Sequence, residues 1–235
     1  ARRAIADHIG TPLGLDVVRA AWGIHEAVNE NVASAFRIHA SERAFDYRQS
    51  SMVAFGGSGP AHAARIAAKL NVPRIVLPPG AGVMSALGLL RSPFAFETAR
   101  SQRTALAGLD TATYAETFAE MERQMRAVLD EPLEIVNWKL EASGPEPMRD
   151  RPFRLDRPGA TSAAPIGERL AYFPATGLAA VPVYDRYRLA VGTAVAGPAI
   201  VEERESTTVL GPGNSAHIDP HLNLVIDIGK GEPAP

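Results

Sequence analysis

Two short apolar runs, Met52-Val53-Ala54-Phe55 and Arg74-Ile75-Val76-Leu77, are joined by Gly56-Gly57-Ser58-Gly59-Pro60 and a helix-forming stretch from Ala61 to Leu70. Two strands separated by a helix cannot close as a tight hairpin, so the natural solution is a crossover that makes them parallel neighbours. Asn71 and Pro73 end the helix, the first by favouring a left-handed cap and the second by being unable to continue it. Pro78-Pro79-Gly80 stop the second strand, and Val83 to Leu90 begin another helix. Strand, turn, helix, strand, turn, helix is the order of an α/β layer.

The flanking sequence adds three further pieces. Upstream, Val17, Ala21, Ile24, Val28, Val32 and Ala35 step by three or four residues, which predicts a helix with that stripe buried and Asp16 as its N-cap. Downstream, Thr113 to Leu129 reads as a polar amphipathic helix with Phe118, Met121, Met125 and Leu129 on one side. After Gly144 the pattern changes to short apolar runs between Gly-Pro turns, ending in the alternation of Leu222, Leu224, Ile226 and Ile228. That is the pattern of a small β-rich region.

Composition removes several classes of function. The 235 residues contain no cysteine, which excludes disulfides, zinc-thiolate sites, iron–sulfur clusters and a thiol nucleophile. With 24 basic and 26 acidic side chains the net charge is -2, so a generically basic nucleic-acid binder is excluded. The longest apolar stretch, near Gly80 to Leu90, is shorter than the roughly 20 residues of a spanning helix. No secretory leader is recognisable, and a cytoplasmic location is the expectation. The first residue is not methionine, and the start reads as the middle of a longer protein.

The glycine turn is the candidate binding element. A strand leading through Gly56, Gly57, Ser58 and Gly59 into a helix offers bare main-chain N–H groups at the positive end of the helix dipole. No acidic residue lies between Asp46 and Glu97, whereas Arg48, Arg65, Lys69, Arg74 and Arg91 do. An anion suits such a place. The turn does not fit the dinucleotide fingerprint, the Walker pattern, which needs a lysine, or the nucleophile elbow, because residue 60 is proline. The competing reading is a turn that serves tight strand-to-helix packing alone. His8, His25 and His39 read as packed or solvated. His217, Asp219 and His221 form only a loose metal pattern, interrupted by Pro220. Glu202, Glu203 and Glu205 read as solvated charges on a strand edge.

Two long blocks carry a resemblance. Met52 through Ala63, containing Gly56-Gly57-Ser58-Gly59-Pro60-Ala61-His62-Ala63, is followed by Ile75-Val76-Leu77-Pro78-Pro79-Gly80-Ala81-Gly82-Val83-Met84-Ser85-Ala86-Leu87-Gly88. Later come Pro182-Val183-Tyr184-Asp185, Gly197-Pro198-Ala199-Ile200-Val201-Glu202-Glu203 and Ser206-Thr207-Thr208-Val209. In order and over nearly the whole chain, these resemble the hydantoinase A/5-oxoprolinase family.

That resemblance implies an α/β fold: the late part of an actin-like (ribonuclease H-like) ATPase subdomain at 1–106, a linking helix and strand at 107–143, and a β-rich C-terminal domain at 144–235. It implies an ATP-dependent amidohydrolase that opens a cyclic amide such as a hydantoin or 5-oxoproline. ATP would act with a divalent metal such as magnesium, and a second, B-type subunit would complete the enzyme. A ketone carboxylase subunit and a non-catalytic assembly module are the alternatives. The nucleotide-contacting role falls on Gly56, Gly57, Ser58 and Gly59, while His62 receives no assigned role. The family's aspartate and glycine-threonine loops for metal and phosphates have no counterpart in this chain, so the metal ligands are expected elsewhere and the chain alone is expected to be inactive. Relatives also carry a longer segment, with an Arg-Tyr-x-Gly-Gln stretch, where this chain has only Asp130-Glu131-Pro132.

Overall fold

Asp16 starts the longest element. Its carboxylate accepts the main-chain N–H groups of Val18 and Arg19 at 2.9 and 3.0 Å, capping the helix α3, Val17–Glu42. Before it lie the short helices α1, Arg2–Ile5, and α2, Thr11–Leu13, separated by a wide helical turn at Ala6–Gly10. The computed structural model describes residues 1–93, 95–100, 111–128, 133–136, 139–143 and 164–229.

The predicted α/β order is present. Strand β1, Ser51–Val53, runs into the glycine turn and helix α4, Gly59–Leu70, then β2, Arg74–Leu77. The two strands pair in parallel, Ser51 opposite Arg74 and Val53 opposite Val76. Asn71 adopts φ 54° and ends α4 in the left-handed cap its type favours. A 3-10 turn at Ala81–Val83 then leads to α5, Met84–Arg91.

The chain forms two compact units, Ala1–Met84 with Leu155–Pro235, and Ser85–Arg154. In the second, β3 (Ala95–Thr98), β4 (Leu133–Val136) and β5 (Lys139–Ser143) make an antiparallel sheet in the order β3-β5-β4. Its helix α6, Thr111–Arg126, buries Met121 and Met125, as its sequence stripe predicts. Leu129 and the junction at Asp130-Glu131-Pro132 lie outside the described residues.

In the first unit the β-rich region supplies β6 (Gly167–Phe173), β7 (Gly177–Asp185), β8 (Ala194–Ala196), β9 (Ala199–Glu202), β10 (Thr207–Leu210), β11 (Ser215–Ile218) and β12 (Leu224–Asp227). Four of these form the sheet β10-β9-β7-β6. The others extend the α/β layer itself, in the order β1-β2-β12-β11-β8. Strand β12 pairs antiparallel with β2, setting Leu224 opposite Leu77 and Asp227 opposite Arg74. Arg74 and Asp227 also join through an ion pair of 2.9 Å. Residues that the sequence places in its first and last segments thus share one sheet. The core follows that sheet: Ile75, Leu77, Leu224 and Ile226 are buried with Ala63, Ala67 and Leu70 of α4 beneath them and Val201 and Leu210 from the second sheet.

One expectation is corrected. The stripe Ile24, Val28 and Val32 is exposed, at 42, 44 and 46% of full accessibility. The buried residues of α3 are Ala20, Asn29, Ala33 and Ala40. Asn29, Ala33 and Ala40 also recur at helical spacing, on a face turned well away from the apolar stripe. Small side chains at Ala33 and Ala40 let the helix approach its neighbour closely, and polar contacts hold it there. No helix among the described residues is long and apolar enough to cross a membrane.

Candidate functional site

The glycine turn is bare and open. Gly56 takes φ +94°, a conformation that costs a side-chain-bearing residue strain, and its N–H donates to the Ala81 carbonyl at 2.8 Å. Positive φ therefore falls at Gly56 and not at Gly57. Gly57 and Ser58 are exposed to solvent. A Cβ built on Gly59, the first residue of α4, would have nothing within 4 Å. Ser58 caps α4 by position, yet its hydroxyl makes no capping hydrogen bond. Pro60 is buried in the first turn, where its missing N–H costs nothing. The four residues named from sequence thus stay together at a helix N-terminus, with main chain accessible and space above it.

A second turn lies against them. A Cβ on Gly57 would stand 3.6 Å from the Glu205 carbonyl oxygen, an ordinary contact. A Cβ on Gly82 would stand 2.6 Å from the Glu205 Cβ and 2.8 Å from its carbonyl carbon and oxygen. Only glycine at 82 lets the Glu203–Ser206 turn come so close. That turn is anchored from beneath by Arg186, a side chain 1% exposed. Its guanidinium donates to the carbonyls of Leu222 at 2.7 Å and Leu77 at 3.2 Å, and pairs with Glu203 at 3.3 Å. Ser206 Oγ also donates to Glu203, at 3.2 Å. The acidic group at 202–205 is therefore not simply a solvated edge: Glu203 is buried against a cation, while Glu205 remains exposed.

Helix α4 meets α3 through a polar seam that the apolar pattern does not reveal. Glu26 accepts from Arg65 Nε and Nη2 at 2.8 and 2.9 Å and pairs with Lys69 at 3.1 Å. Burial raises the Glu26 carboxyl, but those cations and their hydrogen bonds outweigh it and hold the pKa at about 2. Next to it, His62 Nδ1 donates to Asn29 Oδ1 at 2.7 Å, and Asn29 Nδ2 donates to His25 Nδ1 at 2.9 Å. The two imidazoles stack with centroids 4.6 Å apart, and Trp22 stacks on His25 at 5.1 Å. Burial first, and then the neighbouring His62, lower the pKa of His25.

Of the loose metal pattern, His217 lies in β11, and Asp219 and His221 fall in the turn that follows it. Asp219 accepts from the N–H groups of His221 and Asn223 at 2.9 and 2.8 Å, closing the loop before β12. Among the described residues no group of three His, Asp or Glu side chains is placed to hold a metal. Sequence reasoning missed Glu26, Asn29 and Arg186, and it read Arg65 as a cation available to an anion and Glu203 as solvated, whereas Arg65 is bound to Glu26 and Glu203 to Arg186. The signal for the first two is the helical spacing of Trp22, Glu26, Asn29, Ala33 and Ala40, a second face whose charges mask its burial.

Comparison with known proteins gives the chain its relatives. The profile of the hydantoinase/oxoprolinase family matches residues 1–98, and that of the hydantoinase/oxoprolinase C-terminal domain matches residues 135–226. The acetophenone carboxylase gamma subunit of Aromatoleum aromaticum is 25% identical over 299 residues, covering 97% of this chain and 41% of that protein. The caprolactamase subunit alpha of Pseudomonas jessenii is 32% identical over 94 residues, covering 40% of this chain and 14% of that one. The crystal structure of the ATP-dependent caprolactamase from Pseudomonas jessenii superposes with a TM-score of 0.65 at 21% identity, over 97% of this chain and 42% of that chain. The chain spans about two fifths of the length of the curated relatives that it matches from end to end.

Proposed function

Because the chain belongs to the hydantoinase/oxoprolinase family, we propose that it is the C-terminal portion of a subunit that couples ATP hydrolysis to opening a cyclic amide of the hydantoin or 5-oxoproline type. The observation that carries the reading is the open turn Gly56–Gly59 at the head of α4, inside the region matched by the family profile. A phosphate fits there on physical grounds: accessible N–H groups, no side chain in the way, and the positive end of the helix dipole. ATP would supply a phosphoryl group to the amide oxygen, turning a poor electrophile into one that water can attack. In this chain the main chain of Gly57, Ser58 and Gly59 would hold phosphate oxygens. Gly56 shapes the turn, and Arg186 through Glu203 sets the height of the turn opposite.

An actin-like ATPase fold, a divalent metal held outside this chain, a B-type partner subunit and a cytoplasmic setting belong to the same proposal. The second reading is a ketone carboxylase subunit, supported by the end-to-end similarity to the acetophenone carboxylase gamma subunit. It uses the same phosphate-holding turn on a different carbonyl.

Calorimetric titration with ATP tests the reading. Gly57→Val places a branched side chain between the turn and the Glu205 carbonyl, which an added Cβ meets at 3.6 Å, and should weaken ATP binding at least tenfold while lowering the melting temperature far less. Pro60→Ala should bind as the parent does. Normal ATP binding by a folded Gly57→Val protein would remove the nucleotide role from this turn.

A further inference from the structure

His25 and His62 are half-buried titratable groups that the proposed function leaves unused, and they meet at the head of α4. The glycine turn passes through Pro60 into Ala61 and His62, which complete the first turn of that helix. A line of hydrogen bonds crosses from there to α3 and back. His62 Nδ1 donates to Asn29 Oδ1 at 2.7 Å, and Asn29 Nδ2 donates to His25 Nδ1 at 2.9 Å. His25 is also hydrogen-bonded to the Ala61 main chain. Because Nδ1 of His25 is an acceptor, Nε2 donates that bond to the Ala61 carbonyl. Asn29 is fully buried, so its amide has no water to turn to. The line therefore runs one way, from His62 to Ala61, and it closes on the helix turn that the glycines lead into.

A proton on His25 breaks it. An imidazolium donates from both nitrogens, so Nδ1–H would face the Asn29 amide N–H. Turning that amide over moves the conflict to His62, whose Nδ1–H would then meet the same group. Stacking opposes the charge as well, because the two ring centroids lie only 4.6 Å apart with 15° between the planes. Glu26 on the same helix and the Ala61 main chain favour a charged ring, whereas burial, His62 and Arg65 oppose it and prevail. Arg2 of α1 and Tyr172 of β6 line the cleft that the ring borders, and neither brings a negative charge to it.

We infer that the His62–Asn29–His25 line positions the head of α4, and with it the anion-binding face of Gly57–Gly59, only while His25 is uncharged. His25 and Asn29 are thus positioning residues, which act through Ala61 and His62. The inference rests on the proposed function in one respect, that the face so positioned takes the phosphate of ATP. It adds a regulation of that site: acid weakens it. The sign is distinctive, because a new positive charge so close to the turn would by attraction alone strengthen anion binding.

Two measurements on the whole chain test this. The first uses no nucleotide and follows, by NMR from pH 8 to 5, the imidazole nitrogens and the main-chain amides of Gly57, Ser58 and Gly59. At pH 8 His25 should carry its proton on Nε2 and His62 on Nδ1. As the pH falls, the three amides should shift with the midpoint of His25. In His25→Gln, whose amide takes no proton, they should stay in place. The second is calorimetric titration with ATP over the same range, where the titration of ATP itself cancels in the ratio of the two proteins. Relative to His25→Gln, the parent should lose about fivefold or more in affinity toward acid, the low end of ordinary coupling between sites. Glycine amides that stay fixed while His25 titrates would overturn the inference. So would the opposite tautomers, or an affinity ratio that is flat or rises toward acid. ATP binding at no pH would remove the nucleotide reading and leave the amide shifts to decide the positioning.

Discussion

Replacing Glu26 with glutamine keeps the shape of the α3–α4 seam and removes its central charge. The Arg65 and Lys69 side chains are 8% and 9% exposed, so both cations lose their shared partner in a place that water reaches poorly. Breaking a buried pair from one side costs about 3–5 kcal/mol. Lys69 keeps Glu30 at 3.1 Å, but that carboxylate is 48% exposed and offsets little. The titration of Glu26 leads to a similar figure. A carboxyl held at about 2 instead of 4.5 corresponds to about 3 kcal/mol at most, which solvent screening reduces. The expected loss at pH 7 is therefore about 2–4 kcal/mol, a large share of a domain's stability.

The sign with pH is fixed. A depressed carboxyl stabilises above its unfolded pKa, and that stability drains away as pH falls from 4.5 toward 2. Urea unfolding of Glu26→Gln and parent across pH 7 to 3 should show curves that converge at the acid end. A constant gap, or a loss below about 0.5 kcal/mol at pH 7, the range of an ordinary surface change, would refute the reasoning.

Gly82→Ala forces its Cβ into the Glu205 main chain and should cost about 1–3 kcal/mol by thermal melt, whereas Gly57→Ala meets only an ordinary contact and should stay near the parent. Ile24→Asp should change stability by no more than about 0.5 kcal/mol, because the side chain is 42% exposed; a collapse of the melting transition would show that the outer face of α3 is covered. The pKa of His25 is lowered, so it stabilises while neutral, and that contribution should fade as pH falls below 6.5; His25→Gln should remove this limb from a plot of melting temperature against pH.

What the sequence discloses here is what neighbouring residues decide. Asp16 as a cap, Asn71 as a left-handed stop and the glycine turn with its buried proline are local choices, and each is found in place. The burial of α3 is decided by a remote helix. Apolar periodicity points to Ile24, Val28 and Val32, but α4 arrives with Arg65, His62 and Lys69 and so selects the face carrying Glu26, Asn29 and Glu30. Arg186 is illegible for the same reason. A basic residue in a turn reads as solvated until Leu77, Glu203 and Leu222, distant in sequence, close around it.

The pairing of β2 with β12 bears on how the chain is made. The register joins Arg74 to Asp227, a separation of 153 residues, so the inner neighbour of β2 is synthesised long after β2 itself. Until it arrives, the strand after the glycine turn presents an open hydrogen-bonding edge and the apolar Ile75 and Leu77 to whatever is near. Such long-range closure is slow, and the incomplete layer is prone to aggregate. A chain cut after residue 98 would carry the whole glycine turn and yet lack β12, β11 and β8, three of the five strands of the sheet that the turn leaves from.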